Sequence, residues 1–195
     1  MNNKITFGIG GIIVGLLLAG IFTSSMFSGS HNSNNGMMGN IDQHFIEQMI
    51  PHHESAVVMA KLALQKSKHP EIKTLATNII KDQNKEIGGM STWYKNWFGK
   101  EVSKVNTGMM GGSMMSGGGM HGGMQGEMTD LENASDFDKA FIEAMIPHHQ
   151  SAIMMAQMLQ SGTNRPEMQQ LAKNIIESQS KEIQQMQTWY TKWYK

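Results

Sequence analysis

Between residues 41 and 98 of this 195-residue chain, apolar positions recur at alternating steps of four and three. Phe45, Met49, His52, Ala56, Met59 and Ala63 form one row, with Ile46, Ile50, His53, Val57, Ala60 and Leu64 beside it, while Lys61, Gln65 and Lys68 fall off both. That period predicts a helix with one wide apolar face. A break follows at Lys68-His69-Pro70, with Pro70 suited to the first turn of the next helix. A second stripe carries Ile72, Leu75, Ile79, Gln83, Glu86, Met90, Trp93 and Trp97. Two amphipathic helices joined by a short turn predict an antiparallel hairpin.

The pattern is written twice. FIEQMIPHHESAVVMA at residues 45 to 60 returns as FIEAMIPHHQSAIMMA at residues 141 to 156, an offset of 96. Pro70-Glu71 recurs as Pro166-Glu167, and Gln83, Glu86, Met90, Trp93, Tyr94 and Trp97 recur as Gln179, Glu182, Met186, Trp189, Tyr190 and Trp193. Self-similarity at a fixed period marks a duplicated supersecondary unit. Two such αα-hairpins bury their faces best as an all-α four-helix bundle. The organisation read from the chain is an N-terminal anchor or signal segment at 1–27, a flexible tether at 28–40, hairpins at 41–98 and 136–195, and a Gly/Met-rich linker at 99–135.

The N-terminus has Lys4 followed by an apolar run from Ile5 to Phe22, at the lower edge of what a spanning helix needs. Thr23-Ser24-Ser25 is a poor cleavage site, which favours an uncleaved membrane anchor over a cleaved signal. Either reading exports the rest of the chain, because Lys4 stays on the cytoplasmic side. The folded part is therefore expected outside the cytoplasm, in a periplasmic or similar compartment. Lys+Arg and Asp+Glu both number 16, so there is no basic excess of the kind nucleic acid attracts. Cysteine is absent, which rules out disulfides and thiolate metal sites.

The chemistry lies in the repeated Met-Ile-Pro-His-His. His52 and His53 stand about 100° apart on a helix, both within the apolar face. Met49 neighbours both, being three and four residues earlier. Met145, His148 and His149 repeat this. Pro51 and Pro147 either kink their helices, by removing a donor and clashing with the carbonyl four residues back, or sit in the first turn of a helix that starts later. Folding the hairpin back sets Gln83, Glu86 and Met90 across from His53, His52 and Met49. It sets Gln179, Glu182 and Met186 across from His148, His149 and Met145. Burying imidazole and carboxylate without partners costs several kcal/mol. The groups therefore form either a closed hydrogen-bond network or a metal site.

Imidazole with thioether suits copper: sulfur selects Cu(I), and imidazole accepts Cu(I) or Cu(II). Structural zinc is disfavoured without cysteine, and a di-iron centre wants Glu-x-x-His, which the helices lack. The linker adds Met109, Met110, Met114, Met115, Met120, Met124 and Met128, with His121 among them, separated mostly by glycine. Such a segment has no core to fill, so its sulfurs are read as ion-gathering ligands. Met154 and Met158 are expected to fill gaps in the bundle core. The aromatic groups Trp93, Tyr94, Trp97 and Trp189, Tyr190, Trp193 are expected to anchor the bundle ends.

The pattern Phe-Ile-Glu-x-Met-Ile-Pro-His-His-x-Ser-Ala, followed by Pro-Glu, Leu-Ala, Ile-Ile, Gln-x-x-Glu-Ile and Met-x-x-Trp, resembles the bacterial domain of unknown function 305 family, over residues 42 to 97 and again over 138 to 193. The resemblance implies a ferritin-like four-helix fold and exported copper-binding relatives. It implies Met49, His52, His53, Met59 and Met90 as copper-ligand candidates, with Met145, His148, His149, Met155 and Met186 in the second copy. The copies differ at Glu54, which becomes Gln150, and at Val58, which becomes Met154, so their affinities need not match.

The leading expectation is an exported copper-binding protein serving resistance, storage or delivery. Its partners would be copper ions, the membrane through the N-terminal helix, and a copper-transport protein. The alternatives are a metal-dependent oxidoreductase on the same bundle, for which no second catalytic constellation is visible, and a structural or interaction bundle with a buried polar network.

Overall fold

The computed structural model describes residues 35–103 and 124–195. All regular elements among them are helices: α1 (Asn35–Lys66), α2 (Pro70–Phe98), α3 (Met124–Glu132), α4 (Phe137–Gly162) and α5 (Pro166–Tyr194). α1 begins inside the stretch expected as a tether, and α3 lies inside the stretch read as linker. No described helix is long and apolar enough to cross a membrane. The apolar run from Ile5 to Phe22 lies outside the described residues.

Local chemistry sets the helix ends. Pro70 and Pro166 open α2 and α5, where a missing N–H costs nothing. Asp136 caps α4 by accepting from the Lys139 backbone N–H. α2 stops at Gly99, whose φ of 68° lies in the left-handed region that favours glycine and whose N–H returns to the Lys95 carbonyl. Pro51 and Pro147 both lie inside their helices, so neither marks a first turn.

The four long helices form a four-helix bundle: α1 pairs with α2, α4 with α5, and the hairpins join mainly through α1 and α4. Its core has two apolar halves. One gathers Ala56, Met59, Ala63, Ile72, Leu75 and Ile79 from the first hairpin with Phe141, Ile142, Met145, Ile183 and Met186 from the second. The other gathers Phe45, Ile46, Met49, Met90 and Tyr94 with Ala152, Leu159, Met168, Leu171 and Ile175. Burying each larger side chain contributes about 1.5–3 kcal/mol. On every long helix the residues between the halves are polar: His52, His53 and Ser55 on α1, Gln83 and Glu86 on α2, His148 and His149 on α4, Gln179 and Glu182 on α5. A polar layer thus cuts the core at mid-height.

Two matched contacts tie the hairpins at opposite ends. Buried Asp138 accepts from the backbone N–H groups of Lys68 and His69 and meets His69 Nδ1 at 2.6 Å, while the His69 ring stacks on Trp193 at 3.7 Å. At the symmetry-equivalent place, buried Asp42 accepts from Arg165 Nε at 3.0 Å, and the guanidinium lies 4.1 Å over Trp97. Trp97 and Trp193 pack at the bundle ends by gripping the partner hairpin's turn, and Trp93 and Trp189 stack on them.

Candidate metal centre

His53 is fully buried, and its Nε2 meets Glu86 Oε2 at 2.6 Å. His149 is equally buried, with Nε2 at 2.6 Å from Glu182 Oε2. The second pairing is the one the fold-back predicted. The first corrects it: Glu86 faces His53, not His52. Near the α1–α4 crossing the rings of His52 and His148 lie 3.8 Å apart, tilted by 39°, and Ser55 Oγ meets His148 Nε2 at 2.8 Å.

These bonds decide which imidazole nitrogen is available. An ionised carboxylate only accepts, so Nε2 of His53 and of His149 donates to it. A neutral ring then has its lone pair on Nδ1. The Nδ1 atoms of His53, His148 and His149 are buried with no hydrogen-bond partner, as are Oε1 of Gln83 and of Gln179. Burial pushes the His148 imidazole down to about 2, helped by the nearby imidazoles of His52, His149 and His53. The ring is therefore neutral at any ordinary pH. A carboxylate behind an imidazole, fixing its tautomer, is the arrangement that prepares histidine for metal.

The sulfurs flank the layer on both sides. Met49 is four residues before His53, and Met90 four after Glu86, so both sit one turn from that pair on facing helices. Met145 and Met186 stand the same way to His149 and Glu182. All four are fully buried. The structure places Met59 and Met155 crosswise. Met59 lies in the half that holds Met145 and Met186, and Met155 packs on the half that holds Met49 and Met90. Because α1 and α4 run antiparallel, residues beyond the histidines enter the other copy's half. Met168, which sequence reasoning did not single out, joins Met49 and Met90. Ser55 was also missed; its only signal was recurrence of the Ser-Ala after each His pair. Met109, Met110, Met114, Met115, Met120 and His121 lie outside the described residues, as does the side chain of Met124. Met154 and Met158 do not fill the core: they are 48% and 65% exposed.

Among the described residues, no group of three or more His, Asp or Glu side chains is arranged to hold an ion.

Solved structures of a protein called CopM share the fold at 47–48% identity: the Cu(I)-bound form matches 79% of this chain and 98% of that one with a TM-score of 0.67, and the Cu(II)-bound form 78% and 98% with 0.65. A secreted-protein structure from Streptomyces coelicolor matches at 25% identity over 78% of this chain and 91% of that one, TM-score 0.64. An uncharacterised protein of Acanthamoeba polyphaga mimivirus is 43% identical over 51 residues, 26% of this chain, and the match spans only 34% of the viral protein's length. The model for "Domain of unknown function (DUF305)" matches residues 42–190 as one stretch across both hairpins. The chain belongs to the DUF305 family.

Proposed function

We propose that this chain binds copper outside the cytoplasm, for resistance, storage or delivery. The observation that carries the reading is the pairing of buried thioethers with buried imidazoles whose Nδ1 atoms have no partner. One site would draw on His53, Met49 and Met90, helped by Met155. The other would draw on His149, Met145 and Met186, helped by Met59. His52 and His148 would lie between them. Glu86 and Glu182 would act behind the imidazoles, orienting them rather than ligating. Thioether sulfur favours Cu(I), and the imidazoles would accommodate Cu(II). Thioethers lose no proton on binding, so acid pH weakens only the imidazole part of such sites. The copper-bound forms of CopM, at nearly half identity, support copper as the ion.

Export is supported by Lys4 and the apolar run behind it, which would also supply a membrane anchor. The linker sulfurs from Met109 to Met124, with His121, would gather ions for the bundle, and a copper-transport protein would be the exchange partner.

The test is anaerobic Cu(I) titration of the full chain against a chromophoric chelator, beside M49L/M90L and M145L/M186L. Met-to-Leu swaps conserve volume and cost under about 1.5 kcal/mol each, so the variants should fold. Each should lose tight binding in one half. Unchanged affinity in both variants, or binding that disappears only when residues 107–128 are deleted, would return the polar layer to a hydrogen-bond network.

A further inference from the structure

Met154 and Met158 are solvent-exposed at 48% and 65%, and only Val58 and Leu64 join them as exposed large apolar side chains among the described residues. They are four residues apart on α4, so their side chains are neighbours. At about 100° per residue, Met158 falls between Met154 and Met155 around the helix. Met155 is half-buried and packs on the apolar half that contains Met49, Met90 and Met168. On α4 the thioethers of Met154, Met158 and Met155 thus run from solvent to a half-buried sulfur, which packs on the apolar half that holds Met49 and Met90.

The equivalent positions on α1 are Val58, Met59 and Leu62. Val58 is as exposed as Met154, at 49%, but carries no sulfur, and Leu62 replaces Met158. Met59 is buried. The row thus exists on one hairpin only. Gap filling, the ordinary use of methionine, does not account for side chains exposed to solvent at 48% and 65%. What the two positions gain over valine and leucine is an accessible soft donor.

We propose that Met154 and Met158 form a surface port that captures a soft monovalent cation and passes it through Met155 to the Met49–Met90 half of the core. The ion exchanges one thioether for the next with no change in its charge. Among the described residues the Met145–Met186 half has no exposed methionine pair of this kind; half-buried Met128 of α3 packs on it instead, so the two halves fill at different rates. The proposal rests on reading the buried sulfurs as ion sites.

Ag(I) is a redox-inert probe. The full chain, labelled with carbon-13 at the methionine methyls, would receive sub-stoichiometric Ag(I) while the methyl resonances are followed in time. Met49 and Met90 should shift before Met145 and Met186. In M154L/M158L that lead should vanish, with the same final occupancy. V58M/L62M, which writes the row onto α1, should speed filling of Met145 and Met186. A double variant that still fills Met49 and Met90 first overturns the port while leaving the ion sites standing. If the buried methyls never shift in the wild-type chain, the ion sites fall and the port falls with them.

Discussion

At the scale of single residues, the decisive detail is which nitrogen of His53 carries the proton. Glu86 enforces Nε2–H and leaves the lone pair on Nδ1. Glu86→Gln keeps a hydrogen bond but offers both a donor and an acceptor, so the tautomer is no longer imposed. Copper affinity in that half should fall by about 10–100-fold, the usual effect of altering the group behind a ligating histidine. The half around Glu182 should be unaffected. A competition titration of E86Q that matches the wild-type chain would defeat the tautomer argument. Glu86→Leu strands a buried N–H and should cost about 1–3 kcal/mol in urea denaturation. Residue spacing revealed the His/Met/Glu sets but misplaced one partner. The fold-back took the turn as centred near residue 68, whereas the His53–Glu86 pair puts the centre between residues 69 and 70. An error of one residue rotates a helical position by about 100°, enough to exchange His52 for His53.

At the scale of the elements, α1 and α4 each keep a proline within the helix, one residue before the paired histidines. Pro51 deprives the Glu47 carbonyl of its usual donor. The Glu47 carboxylate, by contrast, is held by the Tyr94 hydroxyl and Gln43, which keep its pKa low. Replacing Pro51 by alanine restores the backbone bond and should raise stability by about 1–3 kcal/mol, while moving the imidazoles from their present aim. Denaturation and Cu(I) competition on P51A should therefore change in opposite directions; a variant both less stable and equally tight in binding would show that the proline serves the fold alone. Helix existence and the hairpins were legible because the period is long and unbroken. The crosswise exchange of Met59 and Met155 was not. Periodicity along one chain says which side of a helix is apolar, but it does not say how two hairpins cross.

At the scale of the molecule, the hairpins are held by the two apolar halves they share, by the polar layer and by the two end contacts. Burial alone would raise the pKa of Asp138. The backbone N–H and ring of His69, with Ser67 and the Lys68 N–H, outweigh it and hold the carboxyl below its usual value of 3.8. Its contribution is therefore complete above the unfolded-state value and is lost as pH falls through the lower folded one. Asp138→Asn should lower stability at neutral pH and flatten the acid limb of the stability curve below pH 3.8; an unchanged acid limb in D138N would mean that other carboxylates govern it. The end contacts could not be read from sequence, because Asp42 and Arg165 lie far apart in the chain. Their equivalence has a wider meaning. His52 lies against His148, Asp42 and Arg165 mirror Asp138 and His69, and Trp97 mirrors Trp193. In a true homodimer of one hairpin, any substitution would strike both copies together, and each change would have to suit its own reflection. Joined in one chain, the halves are free to diverge. His69 against Arg165, Val58 against Met154 and Glu54 against Gln150 are differences that a symmetric homodimer of one hairpin could not carry on one side alone.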